Sequence, residues 1–196
     1  MSEADAPRHE GETFTGLEAG AMSLADAIVI ECTFRDCDFS EASFRSARLS
    51  ECLFEGCELA LVDLADASAH DTTFRNCRLT GVRFGEVRRD ALGLAVTLED
   101  CDLTLASFRD LDLRHCALRA CQAREAEFTG CDLSGADLTG SDFAGAVFRH
   151  NDVSGADLRG ARNYLIPPCD NTLKGLRVDL PEAIGLLAAL GVRVEA

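Results

Sequence analysis

The chain has 196 residues, which suits one domain with a small terminal element, and its formal charge of −15 argues against direct binding to nucleic acid, since phosphate neutralisation needs clustered Lys and Arg. It contains no apolar run long enough to cross a bilayer, and the N-terminal stretch MSEADAPRHEGE is polar and acidic rather than basic and then apolar, so a soluble, cytoplasmic protein with no membrane contact is expected. Ten cysteines with no CxxC pair point away from disulfides and zinc, and a reducing compartment suits them. Residues 1–13 read as a flexible tail.

From residue 14 the chain is governed by a period of five. Every fifth position from Leu24 to Phe84 reads L, V, F, F, F, L, F, L, L, A, F, L, F. From Leu98 to Leu158 it reads L, L, F, L, L, A, F, L, L, F, F, V, L. Two residues before these positions stands a small side chain, usually Ala, Cys, Val or Thr, and nine of the ten cysteines (Cys32, Cys37, Cys52, Cys57, Cys77, Cys101, Cys116, Cys121 and Cys131) fall there, as small buried hydrophobes. A period of five matches neither the helix nor the flat strand, so each unit points one large and one small residue inward and then turns. Phe34, Phe54 and Phe74 recur at twenty residues, as do Phe108, Phe128 and Phe148, which makes four units per coil and a four-sided solenoid. Coils stacked at strand spacing, six to seven of them, predict a rod of about 30 Å.

Leu98 follows Phe84 by fourteen positions, which is not a multiple of five, so the two registers do not join, and an insertion or deletion falls at about 85–97. A loop there carries Arg88, Arg89 and Asp90 outward, either as a plain connector or as a contact site. In the second register Gly135, Gly140, Gly145, Gly155 and Gly160 share one position, where a type II turn needs positive φ. The first register has Asp36, Glu41, Glu51 and Asp66 there instead, which predicts turns of a different type.

The units CDLSG, ADLTG, SDFAG and ADLRG resemble the A(D/N)LXX pentapeptide-repeat family over residues 14–161. The resemblance implies an all-β solenoid, the right-handed quadrilateral β-helix, followed here by a short C-terminal helix.

Residues 162–196 leave the repeat and form a cap and dimerisation segment. Pro181 suits a first helical turn, Glu182 its N-terminal dipole and Gly191 its end. Ile184, Leu187 and Leu190, with Leu186 beside them, make an apolar stripe at helical spacing that either caps its own coil or buries against a second copy. The stretch NYLIPPCDNTLKGLRVDLPEAIGLLAALGVRVE is similar to the tail of a subset of the family that includes fluoroquinolone-resistance and albicidin-resistance proteins, and the similarity implies a tail-to-tail homodimer. Cys169 departs from the Thr common at that place, without disturbing this reading.

No catalytic constellation is present: His9, His70, His115 and His150 are isolated, and no phosphate loop, nucleophile elbow or metal-spacing motif occurs, so neither enzyme activity nor a cofactor is expected. One Tyr and no Trp leave nothing for base stacking. Asp112, Asp132 and Asp152 share one repeat position at intervals of twenty, and Asp137 and Asp157 make a second column. Unit charges about 4.8 Å apart in water repel by roughly 0.9 kcal/mol. Such a ladder therefore serves a partner or is offset by hydrogen bonds within the turns. The resemblance implies a dimeric DNA mimic that binds DNA gyrase or topoisomerase IV and protects it from a poison such as a quinolone or an albicidin-like antibiotic. In it the acidic columns face the basic DNA-binding surface, and a dimer of about 60–70 Å matches roughly 20 base pairs. The alternative is a scaffold for an unrelated protein partner, without mimicry.

Overall fold

The computed structural model describes residues 6–88, 94–114 and 116–193. Its strands are short because each side of the coil holds only one five-residue unit. They are β1 (Arg8–Glu10), β2 (Thr13–Thr15), β3 (Ile28–Ile30), β4 (Thr33–Arg35), β5 (Arg48–Ser50), β6 (Leu53–Glu55), β7 (Ser68–His70), β8 (Thr72–Arg75), β9 (Val96–Glu99), β10 (Ser107–Arg109), β11 (Ala117–Arg119), β12 (Glu127–Thr129) and β13 (Val147–Arg149), followed by helix α1 (Ala183–Ala189). All pairings are parallel, within a β1–β3–β5–β7 sheet, a β2–β4–β6–β8–β9–β11 sheet and a β10–β12–β13 sheet. The twenty-residue period is the pairing register itself: Phe14 lies against Phe34, Phe34 against Phe54 and Phe54 against Phe74. The fold is a parallel β-helix with four sides.

The interior is the lattice read from the sequence. The central Leu and Phe residues and the small residues two before them are buried in one continuous core. Phe14, Phe34, Phe54 and Phe74 stack with centroids 5.1, 4.7 and 4.9 Å apart, offset-stacked aromatic contacts within the favourable range. A second stack, Phe84, Phe108, Phe128 and Phe148, has spacings of 4.6, 4.7 and 4.9 Å. The cysteines do more than fill space. The thiols of Cys57, Cys77, Cys101 and Cys121 donate to the carbonyls of Phe34, Phe54, Phe74 and Leu98 one coil below, each at 3.4 Å. Ser141 and Asn151 take over that duty higher up, donating to Leu118 and Phe128. Contact with the next thiol in the column, together with burial, pushes Cys77 and Cys101 up to about 12, so these thiols stay neutral.

The registers join through an insertion of four residues. Phe74 pairs with Leu98 and the Phe84 ring stacks on Phe108, each twenty-four apart instead of twenty. The expected loop at 85–97 is shorter than the sequence suggested. Phe84–Glu86 form one turn of 3-10 helix, and the Arg88 amide still donates to the Ala67 carbonyl at 2.7 Å on the coil ladder. Arg89 and Asp90 lie outside the described residues.

Both ends of the solenoid extend past their expected limits. Arg8–Glu10 pairs in register with Ile28–Ile30, so residues 8–13 belong to the first coil and not to a tail. At the other end Asp142, Asp152 and Asp157 bridge to Arg162, Thr172 and Arg177, so the ladder continues to residue 177. One side therefore carries nine rungs, Thr13, Thr33, Leu53, Thr73, Thr97, Ala117, Asp137, Asp157 and Arg177. Eight steps of about 4.8 Å make a rod of roughly 38 Å.

Two of the turns also depart from expectation. Asp36, Glu41, Glu51 and Asp66 have φ of 51, 58, 55 and 58°, the left-handed region that the glycines also occupy. At Glu41 and Asp66 the turn closes with the same hydrogen bond as at Gly135, Gly145, Gly155 and Gly160: the Ala42 amide donates to Phe39 and the Ala67 amide to Leu64, whereas Asp36 and Glu51 show no such closing bond. Stacking of each corner on the next coil holds these side chains where isolated residues avoid going.

Candidate partner-binding surfaces

The predicted acidic columns are in place. Asp112, Asp132 and Asp152 sit on consecutive rungs, as do Asp137 and Asp157. Their carboxylates are occupied within the coil. Each accepts the backbone amide two residues on, as in Arg114 to Asp112 at 3.1 Å, Ser134 to Asp132 at 3.0 Å and Thr139 to Asp137 at 3.1 Å. Arginines then neutralise much of the charge: Arg119 binds Asp137 at 2.6 Å, Arg114 binds Asp112 at 2.6 Å, and Arg159 and Arg177 bind Asp157 at 2.7 and 3.0 Å. At Asp137 burial opposes ionisation, but the Arg119 guanidinium and Thr139 outweigh it and hold the carboxyl below its usual range. The hydrogen bond from Ser154 lowers Asp152, and that from Arg159 lowers Asp157. Asp142 is the extreme case. It is only 3% exposed, takes Arg124 at 2.9 Å, Arg162 at 3.4 Å and the Asn163 amide at 2.8 Å, and despite its burial is held at about 2.

Bare acidity is found elsewhere. Glu31, Glu51 and Asp71 stand at successive left-handed corners, linked by the Glu31 amide to Ser50 and the Glu51 amide to His70. Asp26 and Asp66 occupy the corner on the other side of the β3–β5–β7 face. All five are exposed, and none makes an ion pair among the described residues. Period-five reading identified the outward positions but did not tell paired acids from bare ones, because arginines such as Arg119 on Asp137 and Arg177 on Asp157 reach across from neighbouring coils.

The C-terminal segment divides its apolar residues between two tasks. Leu186 packs against the core of its own coil, whereas Ile184, Leu187 and Leu190 are 41, 40 and 60% exposed. Pro181 precedes α1 and its carbonyl accepts the Ile184 amide at 2.9 Å, while Gly191 ends the helix at φ 75°. Glu182 and Asp179 tie the segment down by accepting the amides of Asn163 and Gly160, at 3.2 and 2.8 Å. The expected stripe is therefore half cap and half open surface.

One surface was not anticipated. Leu61 and Leu105 hold left-handed backbone at φ 57 and 61° and are 60 and 56% exposed. Left-handed backbone costs a leucine about 1–2 kcal/mol. His9 lies edge-on to Phe14 and close to Glu12, His150 occupies a left-handed corner, and His115 lies outside the described residues. Among the described residues no group of three or more His, Cys, Asp or Glu is placed to hold a metal ion, and no helix is long and apolar enough to cross a membrane.

Comparison with known proteins fits this architecture. Residues 13–88 match the model described as a pentapeptide repeat region, and residues 126–162 match the model for pentapeptide repeats in eight copies. No curated protein matches the sequence. Among solved structures, a trypsin-treated form of QnrB1, a plasmid-mediated fluoroquinolone resistance protein, aligns with a TM-score of 0.69 at 22% identity, covering 96% of this chain and all 100% of that one. Full-length QnrB1 aligns at 0.59 and 20% identity, over 94% of this chain and 100% of that one. HetL, a pentapeptide repeat protein involved in heterocyst differentiation regulation in the cyanobacterium Nostoc, aligns at 0.69 and 21% identity, over 89% of this chain and 87% of that one. At these identities the likeness speaks for the fold, and with the two repeat matches it places this chain in the pentapeptide-repeat family.

Proposed function

We propose that this protein is a DNA-mimicking homodimer that binds a type II topoisomerase, DNA gyrase or topoisomerase IV, and protects it from a poison of the quinolone or albicidin class. The observation that carries this reading is the row of bare carboxylates at Glu31, Glu51 and Asp71, flanked by Asp26 and Asp66, on a rod with a surplus of acid. Carboxylates spaced along a stiff rod present a basic DNA-binding groove with a phosphate-like field. The fold shared with a fluoroquinolone resistance protein supports the same reading. Ile184, Leu187 and Leu190 join two rods tail to tail, to a length of roughly 76 Å or about 22 base pairs at 3.4 Å each. The columns Asp112, Asp132 and Asp152 and Asp137 and Asp157 add a weaker, partly neutralised field near the centre, and the segment bearing Arg88, Arg89 and Asp90 adds a local contact.

The test is a gyrase supercoiling assay with a quinolone, with and without the protein. Protection at micromolar protein is expected, and lysine at Glu31, Glu51 and Asp71 abolishes it. The same change at Asp132, Asp137, Asp152 and Asp157 has the smaller effect, because those carboxylates are already tied to the coil. Absence of both gyrase binding and protection overturns the proposal. The likeness to HetL, a protein involved in heterocyst differentiation regulation, favours a second reading as a scaffold for another protein, in which charge reversal and salt leave partner binding unchanged.

A further inference from the structure

One corner of the solenoid departs from the chemistry of the rest. In consecutive coils it carries Glu41, Leu61, Gly81, Leu105 and Glu125, linked by the amides of Glu41, Leu61, Gly81 and Leu105 donating to Ala60, Thr80, Thr104 and Arg124. Both leucines are held in left-handed backbone and yet project into solvent, where packing gains nothing for them. The Leu61 side chain leans over the bare backbone of Gly81, its Cδ2 2.7 Å from where a Cβ would sit. Beside this patch opens a cleft of about 550 Å³, floored by Gly81 and Gly85 and walled by Leu105 and Arg109. The basic groups at its edge are already engaged, Arg83 by Glu86 and Arg109 by Glu127. Glu41 and Glu125, at the two ends, are exposed and make no ion pair among the described residues.

We infer that this corner is a docking groove for one amphipathic helix of a protein partner, apolar at i, i+4 and i+7 and basic at both ends. Spacing sets the occupant. Leu61 and Leu105 are two coils apart, about 9.6 Å. Residues i and i+7 of a helix are about 10.5 Å apart along its axis. Glu41 and Glu125 are four coils apart, roughly 19 Å, which matches basic residues at about i−3 and i+10. A second copy of this chain is disfavoured, since a twofold pairing of the corner sets Glu41 against Glu125 of the other copy.

A labelled helical peptide of about 16 residues with Leu at i, i+4 and i+7 and Lys at i−3 and i+10 tests this by fluorescence anisotropy on the full chain. The sharp variant is Leu61→Gly with Leu105→Gly, because glycine relieves the backbone and removes only the apolar groups. Saturable binding to the wild type is expected, weakened about tenfold or more in the double variant and to a similar degree when both peptide lysines become Glu. Leu61→Asn with Leu105→Asn, which also tolerates the left-handed corner, serves if the glycine protein folds poorly. No saturable binding to the wild type, or equal binding by the variant, overturns the inference. A failed gyrase assay leaves it standing, because the peptide reads the corner directly.

Discussion

The coils up to Glu125 and those from Gly130 onward share one backbone but differ in what they mostly place at the corners. In the later stretch Gly130, Gly135, Gly140, Gly145, Gly155 and Gly160 occupy left-handed positions at little cost, with His150 among them, and the Asp residues beside them close turns and bind arginines. In the earlier stretch, apart from glycines such as Gly56 and Gly81, the corners include Asp26, Glu31, Asp36, Glu41, Glu51, Leu61, Asp66, Asp71, Leu105 and Glu125, side chains forced into a conformation that glycine adopts freely. The later coils are built for stability, whereas the earlier coils give some up to keep carboxylates and leucines on the surface. That difference is the reason to look for partner contacts in residues 26–71, with the leucine corner reaching on to Leu105, and to treat the tail as the place where copies meet.

The comparison can be broken most forcefully through the core. Phe54→Ala and Phe128→Ala each remove a fully buried ring from a stack, and each is expected to cost about 3–5 kcal/mol by urea denaturation. Because Phe84 on Phe108 carries a stack across the insertion, both variants shift one shared transition. Two separate transitions would show that the halves are independent units.

A smaller effect is expected at Asp142, whose pairing is peculiar to the later coils. Its carboxyl is held at about 2 in the folded chain, below its unfolded range, so its stabilisation is full above about pH 4 and is lost as the pH falls toward 2. Asp142→Asn costs about 2 kcal/mol at pH 7, and thermal melts of the two proteins converge in acid. A gap independent of pH would refute the assignment.

The corners themselves give the finest test. Gly140→Ala has room, the new Cβ lying 3.7 Å from Ala120, so its cost of about 1–2 kcal/mol is conformational. Glu51→Gly runs the other way, gaining up to about 1 kcal/mol after the added freedom of the unfolded chain is subtracted. Opposite signs in paired denaturation curves confirm that the earlier coils carry conformational cost. Equal signs would remove the contrast.

The periodic sequence was enough to read the solenoid, its four sides, its buried Phe and Leu lattice and the inward cysteines, because a five-residue unit sets which side chain points in and a twenty-residue repeat sets what stacks on it. The helix near Pro181 and its apolar stripe were equally legible, being local patterns. The remaining features depended on contacts between coils. Only stacking revealed that four residues are inserted, with Phe84 seated on Phe108, that Arg8–Glu10 already belongs to the first coil, and that Arg119 closes on Asp137 while Glu51 stays bare. Leu61 and Leu105 show the same limit: they occupy ordinary outward positions in the sequence, and only the assembled corner places them one on either side of Gly81. A repeat encodes which way each residue faces, but much of the charge pairing and the surface shape arise between residues about twenty apart, whose neighbours are set by the coil and not by the chain.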